Sequence, residues 1–287
     1  MKNQMWVKSP SRRRFLGCLC VGVATPAAQV DSESFPLAVA RLAVAFAQQV
    51  DRRLDIPDTE HRFYAESLER QLTSSGTLAN KSQLILLVDA NPLVQAAMVY
   101  GRSSEGVAIM IGACAVSTGK PGRFAHFYTP EGVFEHSLAA ADFRAEGSRN
   151  EFGIRGYGRK GMRVYDFGWR LGRRGWGRGG LSPMRLQMHS TDPALLEPKL
   201  GSAQSSGCVR IHSTFNTFLD HYGVLDADYD HELLEGSRLW VLQPDRQPTP
   251  WAGRYMVVVE SDARQRPEWS PLPPSIGPAI ASPSHHE

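Results

Sequence analysis

The stretch QSSGCVRIH, residues 204–212, is the most informative part of this chain, because it puts Cys208 in a polar turn rather than in an apolar run. A thiol attacks only as the thiolate, and a neighbouring histidine can take its proton. His189 lies nineteen residues upstream, at the end of the predicted strand MRLQMH. Cys208 and His189 are therefore a candidate nucleophile and base. Spacing alone leaves open that they are an ordinary loop cysteine and strand-end histidine.

Two neighbours of Cys208 have a chemistry of their own. Gly207 permits a close backbone approach or an unusual turn. The backbone N–H groups of Gly207 and Cys208 are then candidates for an oxyanion hole, which stabilises the intermediate of an acyl transfer. Arg210 offers a fixed positive charge to a substrate carboxylate or to a structural one.

Outward from this stretch the predicted elements are mostly strands. A helix is predicted to begin at Ser213 or Thr214 and to end at Gly223. Upstream, two apolar runs flank a turn-forming cluster at 89–92, and the run VAIMIGACAVSTG follows them. The other predicted strands are short segments between 120 and 136, RLWVL at 238–242, and RYMVVVE at 254–260.

The segment before the first strand has helical rather than strand spacing. Residues 35–54 and 58–72 predict two amphipathic helices. The side chains expected to face inward are Leu37, Leu42, Ala45, Phe46 and Val50 in the first helix, and Phe63, Leu68 and Leu72 in the second. The whole pattern predicts an α+β domain, mainly β, with helices at its start and after the cysteine.

Residues 153–180 form a glycine-rich stretch with eight basic residues and one acidic residue. Three interpretations stay open: a solvated loop, a lid or groove wall that attracts an acidic ligand, and an RNA-binding segment. Neutralising Arg170, Arg173 and Arg174 together is the test of the lid. Trp169 and Trp176 either stack on sugars or cover the core.

The first 28 residues are predicted to be a twin-arginine export signal, which places the mature protein in the periplasm or cell envelope. SRRRFLG at 11–17 is followed by a short apolar run and small residues, although Cys18 leaves a lipoprotein anchor as an alternative. Removal leaves 27 basic and 29 acidic residues, so the net charge changes from +3 to −2. That charge argues against a nucleic-acid partner. Later apolar runs are too short to predict a transmembrane segment.

Cys114 and Cys208 are the two cysteines that follow this signal. An exported protein permits a disulfide between them. Cys114 lies in the apolar run VAIMIGACAV and is expected to be buried, whereas Cys208 is expected to be reactive. A zinc site made of Cys208, His189 and His212 is a further alternative.

Several motifs, in order along the chain, resemble the L,D-transpeptidase (YkuD-type) catalytic domain. His189-Ser190, a spacer, and then SSGCVRI at 205–211 are similar to that family's His, small residue, and Ser/Thr-x-Gly-Cys-(Ile/Val)-Arg pattern. Residues 116–134, VSTGKPGRFAHFYTPEGVF, resemble its strand end and hairpin. The resemblance covers roughly residues 82–242 and implies a β-sandwich catalytic domain that uses no metal or cofactor.

The resemblance also assigns roles to individual residues. It implies that Cys208 is the nucleophile and that His189 is the base, oriented by the backbone carbonyl of Ser190. Gly207 would shape the oxyanion site together with Cys208. The residues that it places at the substrate are Ser205, Ser206 and Arg210. Ser206 departs from the pattern, because many members have a second histidine there.

The implied reaction is an acyl transfer on peptidoglycan stem peptides. The amide between an L-centre and a D-residue is attacked, and a cysteine thioester passes the acyl group to an amine. With water as acceptor the protein would be an L,D-carboxypeptidase. A catalytically silent envelope protein that binds peptidoglycan or a partner is the alternative from another class.

The expected organisation has four parts. These are an export signal at 1–28, a helical segment at 29–80, the catalytic domain at 82–260, and a proline-rich disordered tail at 261–287.

Overall fold

The computed structural model describes residues 33–77 and 80–270, so the predicted signal and residues 271–287 lie outside it. The helices are α1 (Phe35–Gln49), α2 (Asp58–Ser74), α3 (Ser213–Tyr222) and α4 (Ala227–Leu234). The strands are β1 (Gln83–Asp89), β2 (Ala96–Arg102), β3 (Ala108–Ala115), β4 (Gly132–Glu135), β5 (Phe143–Arg144), β6 (Arg163–Arg173), β7 (Leu181–Ser190), β8 (Val209–Ile211) and β9 (Tyr255–Val259). The predicted α+β fold, mainly strands, is confirmed. No helix in the described ranges is long and apolar enough to cross a membrane.

The first sheet has five strands in the order β3-β2-β1-β9-β4. Its central strand β1 runs antiparallel to β2 and parallel to β9. Leu86 and Val88 join one hydrophobic cluster, while Ile85 and Leu87 join another on the opposite face. Because both faces are covered, β1 is a continuous apolar run rather than an alternating one.

The two predicted N-terminal helices are present and cover opposite faces of this sheet. In α1, Leu42 and Phe46 pack in the cluster that holds Leu86. In α2, Leu68 and Leu72 pack in the cluster that holds Leu87. The helices therefore serve to bury the first sheet.

Two of the predicted inward residues are wrong: Leu37 is 60% exposed and Phe63 is 38% exposed. In α1 the buried stripe runs through Phe35, Val39, Leu42 and Phe46. This spacing of four, three and four residues keeps those side chains in line along one face of the helix. Leu37 falls outside that line.

The second sheet has four strands in the order β5-β6-β7-β8. Strands β6 and β7 form a long antiparallel hairpin, and β8 pairs with β7 in parallel. The buried side chains Leu186, Met188 and Val209 belong to the same cluster as Leu86 of the first sheet. The two sheets therefore share one core, as a sandwich requires.

The predicted strand RLWVL at 238–242 is wrong, because these residues form no strand and 240–241 lie in a turn. Trp240 is exposed, and the carbonyl oxygen of Val241 accepts a hydrogen bond from the Arg144 side chain instead of from a strand. A short apolar run has no strand character of its own without a neighbour to pair with. The strand at 254–260 is confirmed as β9, and α4 was not predicted.

The predicted disordered tail is wrong for residues 261–270. The Trp269 ring packs edge-on against Tyr64, with centroids 6.1 Å apart. The Ser270 hydroxyl lies 2.9 Å from the backbone oxygens of Leu93 and Val94. These contacts with the folded domain hold a segment whose composition suggests disorder.

The solvated-loop interpretation of the basic stretch is wrong for residues 163–173, which are strand β6. Val164, Tyr165 and Phe167 are buried there. Arg163 is also fully buried, and its guanidinium pairs with Asp142 and Asp226. The glycine and arginine content of this stretch does not predict a strand, although the first half of β6 is buried.

Candidate active site

Strand β7 presents alternate side chains to its two faces, as a strand must. Met184, Leu186 and Met188 point into the shared core. The residues between them, Arg185, Gln187 and His189, therefore lie on the other side, here called the outer face. His189 thus comes to the site by strand alternation.

Strand β8 brings Cys208 and Arg210 to the same outer face. In the parallel pairing, Met188 lies opposite Val209 and His189 lies opposite Arg210. Val209 is buried in the core, so its neighbours Cys208 and Arg210 point the other way. Cys208 directly precedes Val209, so it lies beside Gln187 of β7. Gln187 is two residues before His189 on the same strand.

The imidazole of His189 is held by its own strand. Nδ1 donates to the backbone oxygen of Ser190 at 2.6 Å, which is the contact that the resemblance implied. Burial lowers the pKa of His189 to about 4 against the opposing effect of this carbonyl, and the charge of Arg210 acts in the same direction as burial. The imidazole is therefore neutral at pH 7, and Nε2 is the unprotonated nitrogen.

The thiol of Cys208 is also in its neutral form. Burial raises its pKa, although the backbone N–H of Gln187 and the charge of Arg210 favour the thiolate, and Asp166 opposes it. Sγ lies 3.8 Å from the backbone oxygen of Arg185. Within the described ranges Cys208 and His189 make no direct hydrogen bond with each other.

The turn before Cys208 is built around Gly207, which has φ +128°. A Cβ at this position would lie 2.8 Å from Met184 Cε, so a side chain does not fit. The carbonyl oxygen of Gly207 accepts from the Thr129 hydroxyl at 2.8 Å. Its N–H donates to Ser205 Oγ at 3.0 Å, so of the two predicted oxyanion donors the N–H of Cys208 is the one that remains a candidate.

Ser205, which the resemblance placed at the substrate, lies inside the turn. Ser205 is fully buried, and its hydroxyl donates to the Cys208 carbonyl at 2.6 Å while it accepts from Gly207. It therefore stabilises the turn. Ser206 is exposed beside Cys208, and its hydroxyl is 3.4 Å from Nε2 of His126.

Arg210 remains a candidate for a substrate carboxylate. Its Nη1 donates to the Gln204 carbonyl at 3.1 Å, which fixes the guanidinium beside the turn. Its Nε is buried and has no hydrogen-bond partner among the described residues. A buried donor without a partner beside Cys208 can bind an anionic group.

A hydrogen-bonded chain on the outer face was missed in the sequence. Tyr157 Oη donates to Gln187 Oε1 at 3.0 Å, and Gln187 Nε2 donates to Asp166 Oδ2 at 2.8 Å. Asp166 also accepts from Arg185 Nε at 2.9 Å. The alternation of Arg185, Gln187 and His189 in β7 was a usable signal, whereas nothing near Tyr157 in the sequence pointed to it.

The two tryptophans of the basic stretch have different surroundings. Trp176 packs against Phe127, with ring centroids 4.8 Å apart, so it belongs to the packing under the turn. Trp169 is 65% exposed and lies opposite Arg185 on the outer face. Trp169 is thus the exposed tryptophan of the outer face, whereas Trp176 is only partly exposed.

The two described cysteines are free thiols, and Cys114 is buried as predicted. His212 caps α3: its Nδ1 accepts from the backbone N–H of Thr214 at 3.2 Å, and its Nε2 lies 3.2 Å from Glu197. In the part of the chain that the structure describes, no group of three or more potential metal ligands lies together.

No known family profile and no curated protein sequence matches this chain. Among solved structures, a point mutant of the helical cell shape determining protein Pgp2 from Campylobacter jejuni is similar at 14% identity and a TM-score of 0.29. The match covers 78% of this chain and 55% of that structure. At this TM-score the likeness does not establish a shared function.

Proposed function

We propose that this protein is a peptidoglycan L,D-transpeptidase that uses Cys208 as its nucleophile and His189 as its base. The observation that carries the proposal is the placement of both side chains on the outer face of two paired parallel strands. The Nδ1 bond to Ser190 leaves Nε2 free to accept a proton. A cysteine, a base and a group that orients the base are the parts of a nucleophilic acyl-transfer site.

Acylation begins when Cys208 Sγ turns from the Arg185 carbonyl towards His189. The sulfur bonds to the amide carbonyl carbon of the substrate, and His189 Nε2 takes the thiol proton. The C–N bond to the D-residue then breaks, and the imidazolium returns the proton to the leaving amine. The products of this step are a thioester on Cys208 and a free D-residue.

Transfer then reverses the roles. An acceptor amine attacks the thioester carbonyl carbon and passes a proton to His189. The C–S bond breaks, and the sulfur recovers this proton as the Cys208 thiol. The N–H of Cys208 stabilises the oxyanion in both steps.

The neutral resting state suits this chemistry. Because the thiol and the imidazole are both uncharged, the proton moves only when the sulfur attacks. Arg210 then stabilises the negative charge that develops on the sulfur and the substrate. Its orphaned Nε supports a role in holding a stem-peptide carboxylate.

The substrate class rests on the sequence resemblance and on the charge around the site. Arg173 and Arg174 lie at the end of the β6–β7 hairpin, and Arg185 and the exposed Trp169 lie between this end and Cys208. A stem peptide has free carboxylates and is linked to sugars. A basic surface that includes one exposed tryptophan is complementary to such a ligand.

The test is intact-mass spectrometry of the mature protein after incubation with a carbapenem, whose strained lactam acylates an activated nucleophile. We expect a gain of one carbapenem mass, its loss in Cys208→Ala, and its persistence in the matched control Cys114→Ala. If the protein is folded, its Cys208 thiol is reduced and still no adduct forms, the proposal is contradicted. With tetrapeptide stems, a cross-linked dimer supports the transpeptidase, and a trimmed tripeptide alone indicates the carboxypeptidase.

A further inference from the structure

The loop between β5 and β6 covers His189. The Tyr157 ring meets the His189 ring edge-on, with centroids 4.7 Å apart and planes at 73°. On its other side the Tyr157 ring packs edge-on against Phe143 at 5.3 Å. His189 is 5% exposed, although it lies on a face that holds no core cluster. The covering loop is therefore what separates it from water.

Two backbone contacts hold this loop in place. The N–H of Arg155 donates to Asp192 Oδ2 at 2.9 Å. Gly158 lies directly against Ser190, because a Cβ at Gly158 would overlap the Ser190 hydroxyl. The loop is thus anchored to the end of β7, next to the carbonyl that orients His189.

A side-chain contact makes the third anchor. The Tyr157 hydroxyl donates to Gln187 Oε1 at 3.0 Å, and Gln187 is two residues before His189 on the same face of β7. The same Gln187 is fixed by Asp166. The ring over His189 is therefore tied to the strand that carries His189.

We propose that Tyr157 is a positioning residue whose ring seals the His189 imidazole from water and keeps it a neutral base for Cys208. Its importance for catalysis rests on the proposed function, but the seal itself does not. The covering side chain comes from the 153–180 stretch, so one part of that stretch acts as a fixed cover and not as a solvated loop.

The groups that face His189 support this assignment. Arg210 lies beside it on β8, and Tyr157 lies over it. Cys208 is two residues before Arg210 on the same side of the sheet. Asp166 on β6 is separated from it by Gln187. No carboxylate among the described residues bonds to the imidazole, so water exclusion and Arg210 both act against the imidazolium.

The experiment is an NMR titration of the His189 ring in the full-length mature protein, assigned with His189→Gln. We expect the wild-type midpoint near pH 4 and a rise of at least about one pH unit in Tyr157→Ala, towards the ordinary value of about 6.5, because water then solvates the imidazolium. Tyr157→Phe keeps the ring and is expected to keep the wild-type midpoint. An unchanged midpoint in Tyr157→Ala overturns the proposal.

A second pair of variants moves the loop without changing Tyr157. Gly158 and Gly161 have nearly equal φ of +85° and +86°, but only Gly158 has no room for a Cβ. Gly158→Ala is expected to raise the midpoint by at least about half a pH unit, and Gly161→Ala to leave it unchanged. Equal effects of the two substitutions contradict the proposal.

These titrations need neither substrate nor turnover. A protein that gives the expected midpoints but no carbapenem adduct has the cover and lacks the proposed activity. A protein that forms the adduct while Tyr157→Ala leaves the midpoint unchanged has the activity and lacks the cover. The two ideas therefore fail separately.

Discussion

Cys208 and His189 are both uncharged at neutral pH, and burial is the main cause for each. Burial disfavours the charged form of either side chain, so the pKa of the thiol rises and that of the imidazole falls. An ion pair between them would need a lowered pKa at the thiol and a raised pKa at the imidazole. The site therefore holds a thiol and a neutral imidazole, and in the proposed mechanism the thiol loses its proton only during attack.

This state predicts how Cys208 reacts with iodoacetamide. The alkylation rate is expected to rise about tenfold per pH unit from pH 6 to 8.5 with no plateau, because the thiolate fraction follows a raised pKa. Peptide mass spectrometry gives the rate at Cys208, with buried Cys114 as the internal control. A rate that is constant above about pH 5 would mean a preformed ion pair.

At the scale of elements, helix α1 rests directly on the first sheet. Its Phe46 ring lies over Gly112 of β3, where a Cβ would be 2.7 Å from Phe46 Cγ. The same ring packs edge-on against Phe215 and Phe218 at 5.8 and 5.2 Å. The absence of a side chain at Gly112 thus lets α1, the first sheet and α3 meet at one ring.

Gly112→Ala is expected to destabilise the protein by about 2 kcal/mol, because the new methyl group pushes Phe46 out of a closely packed site. Urea unfolding measures the change. In a Phe46→Leu background the same substitution is expected to cost less than half as much, so the effects of the two substitutions are not additive.

The matched control is Gly156→Ala, which also introduces one methyl group but has nothing within 4 Å. It is expected to change the free energy of unfolding by less than about 0.5 kcal/mol. Equal costs for Gly112→Ala and Gly156→Ala would refute the close contact between α1 and β3.

At the scale of the whole molecule, a buried group of charges joins the second sheet to the helices that follow it. Arg163 of β6 pairs with Asp142 at 2.7 Å and with Asp226 at 2.7 Å, just before α4. His136 is buried beside it. Its Nε2 lies 2.9 Å from Asp142 and its Nδ1 lies 2.8 Å from the Leu225 carbonyl. With acceptors at both nitrogens, His136 is an imidazolium.

The charge of His136 makes stability depend on pH. Burial and the charge of Arg163 oppose the imidazolium, but the charge and hydrogen bond of Asp142, together with the charge of Asp226, raise the pKa of His136 above 6.5. A raised folded pKa gives stability that is complete below the unfolded pKa of about 6.5 and is lost as pH rises through the folded value. Asp142 has a lowered pKa, so its share is present above about 3.8 and is lost in more acidic solution.

His136→Gln is therefore expected to cost about 3 kcal/mol at pH 5.5, since it leaves part of a buried charge pair uncompensated. The difference from wild type is expected to shrink as pH rises towards 9. Urea unfolding of both proteins across this range measures it. A difference that is independent of pH would mean that His136 is neutral.

Much of the architecture follows from local patterns. The continuous run LILLV indicates a strand buried on both faces, Gly223 ends α3 in the left-handed region, and the spacing of α1 and α2 predicts two packing helices. Two failures depend on neighbours far away in the chain: RLWVL lacks a strand to pair with, and Trp269 finds a partner in Tyr64. The third is local, because β6 pairs with the next strand, β7, and its arginines and glycines mask the apolar residues of its first half.

The candidate site divides in the same way. The sequence by itself determined the chemical types, a cysteine after a glycine and a histidine at a strand end, because strand alternation and turn geometry are local. Only the tertiary structure decided their state. Contacts between different segments place Tyr157 over His189 and turn the Cys208 sulfur towards the Arg185 carbonyl. The Ser205 hydroxyl closes the turn that carries Cys208. Such contacts set burial, and burial sets whether a thiol and an imidazole are charged.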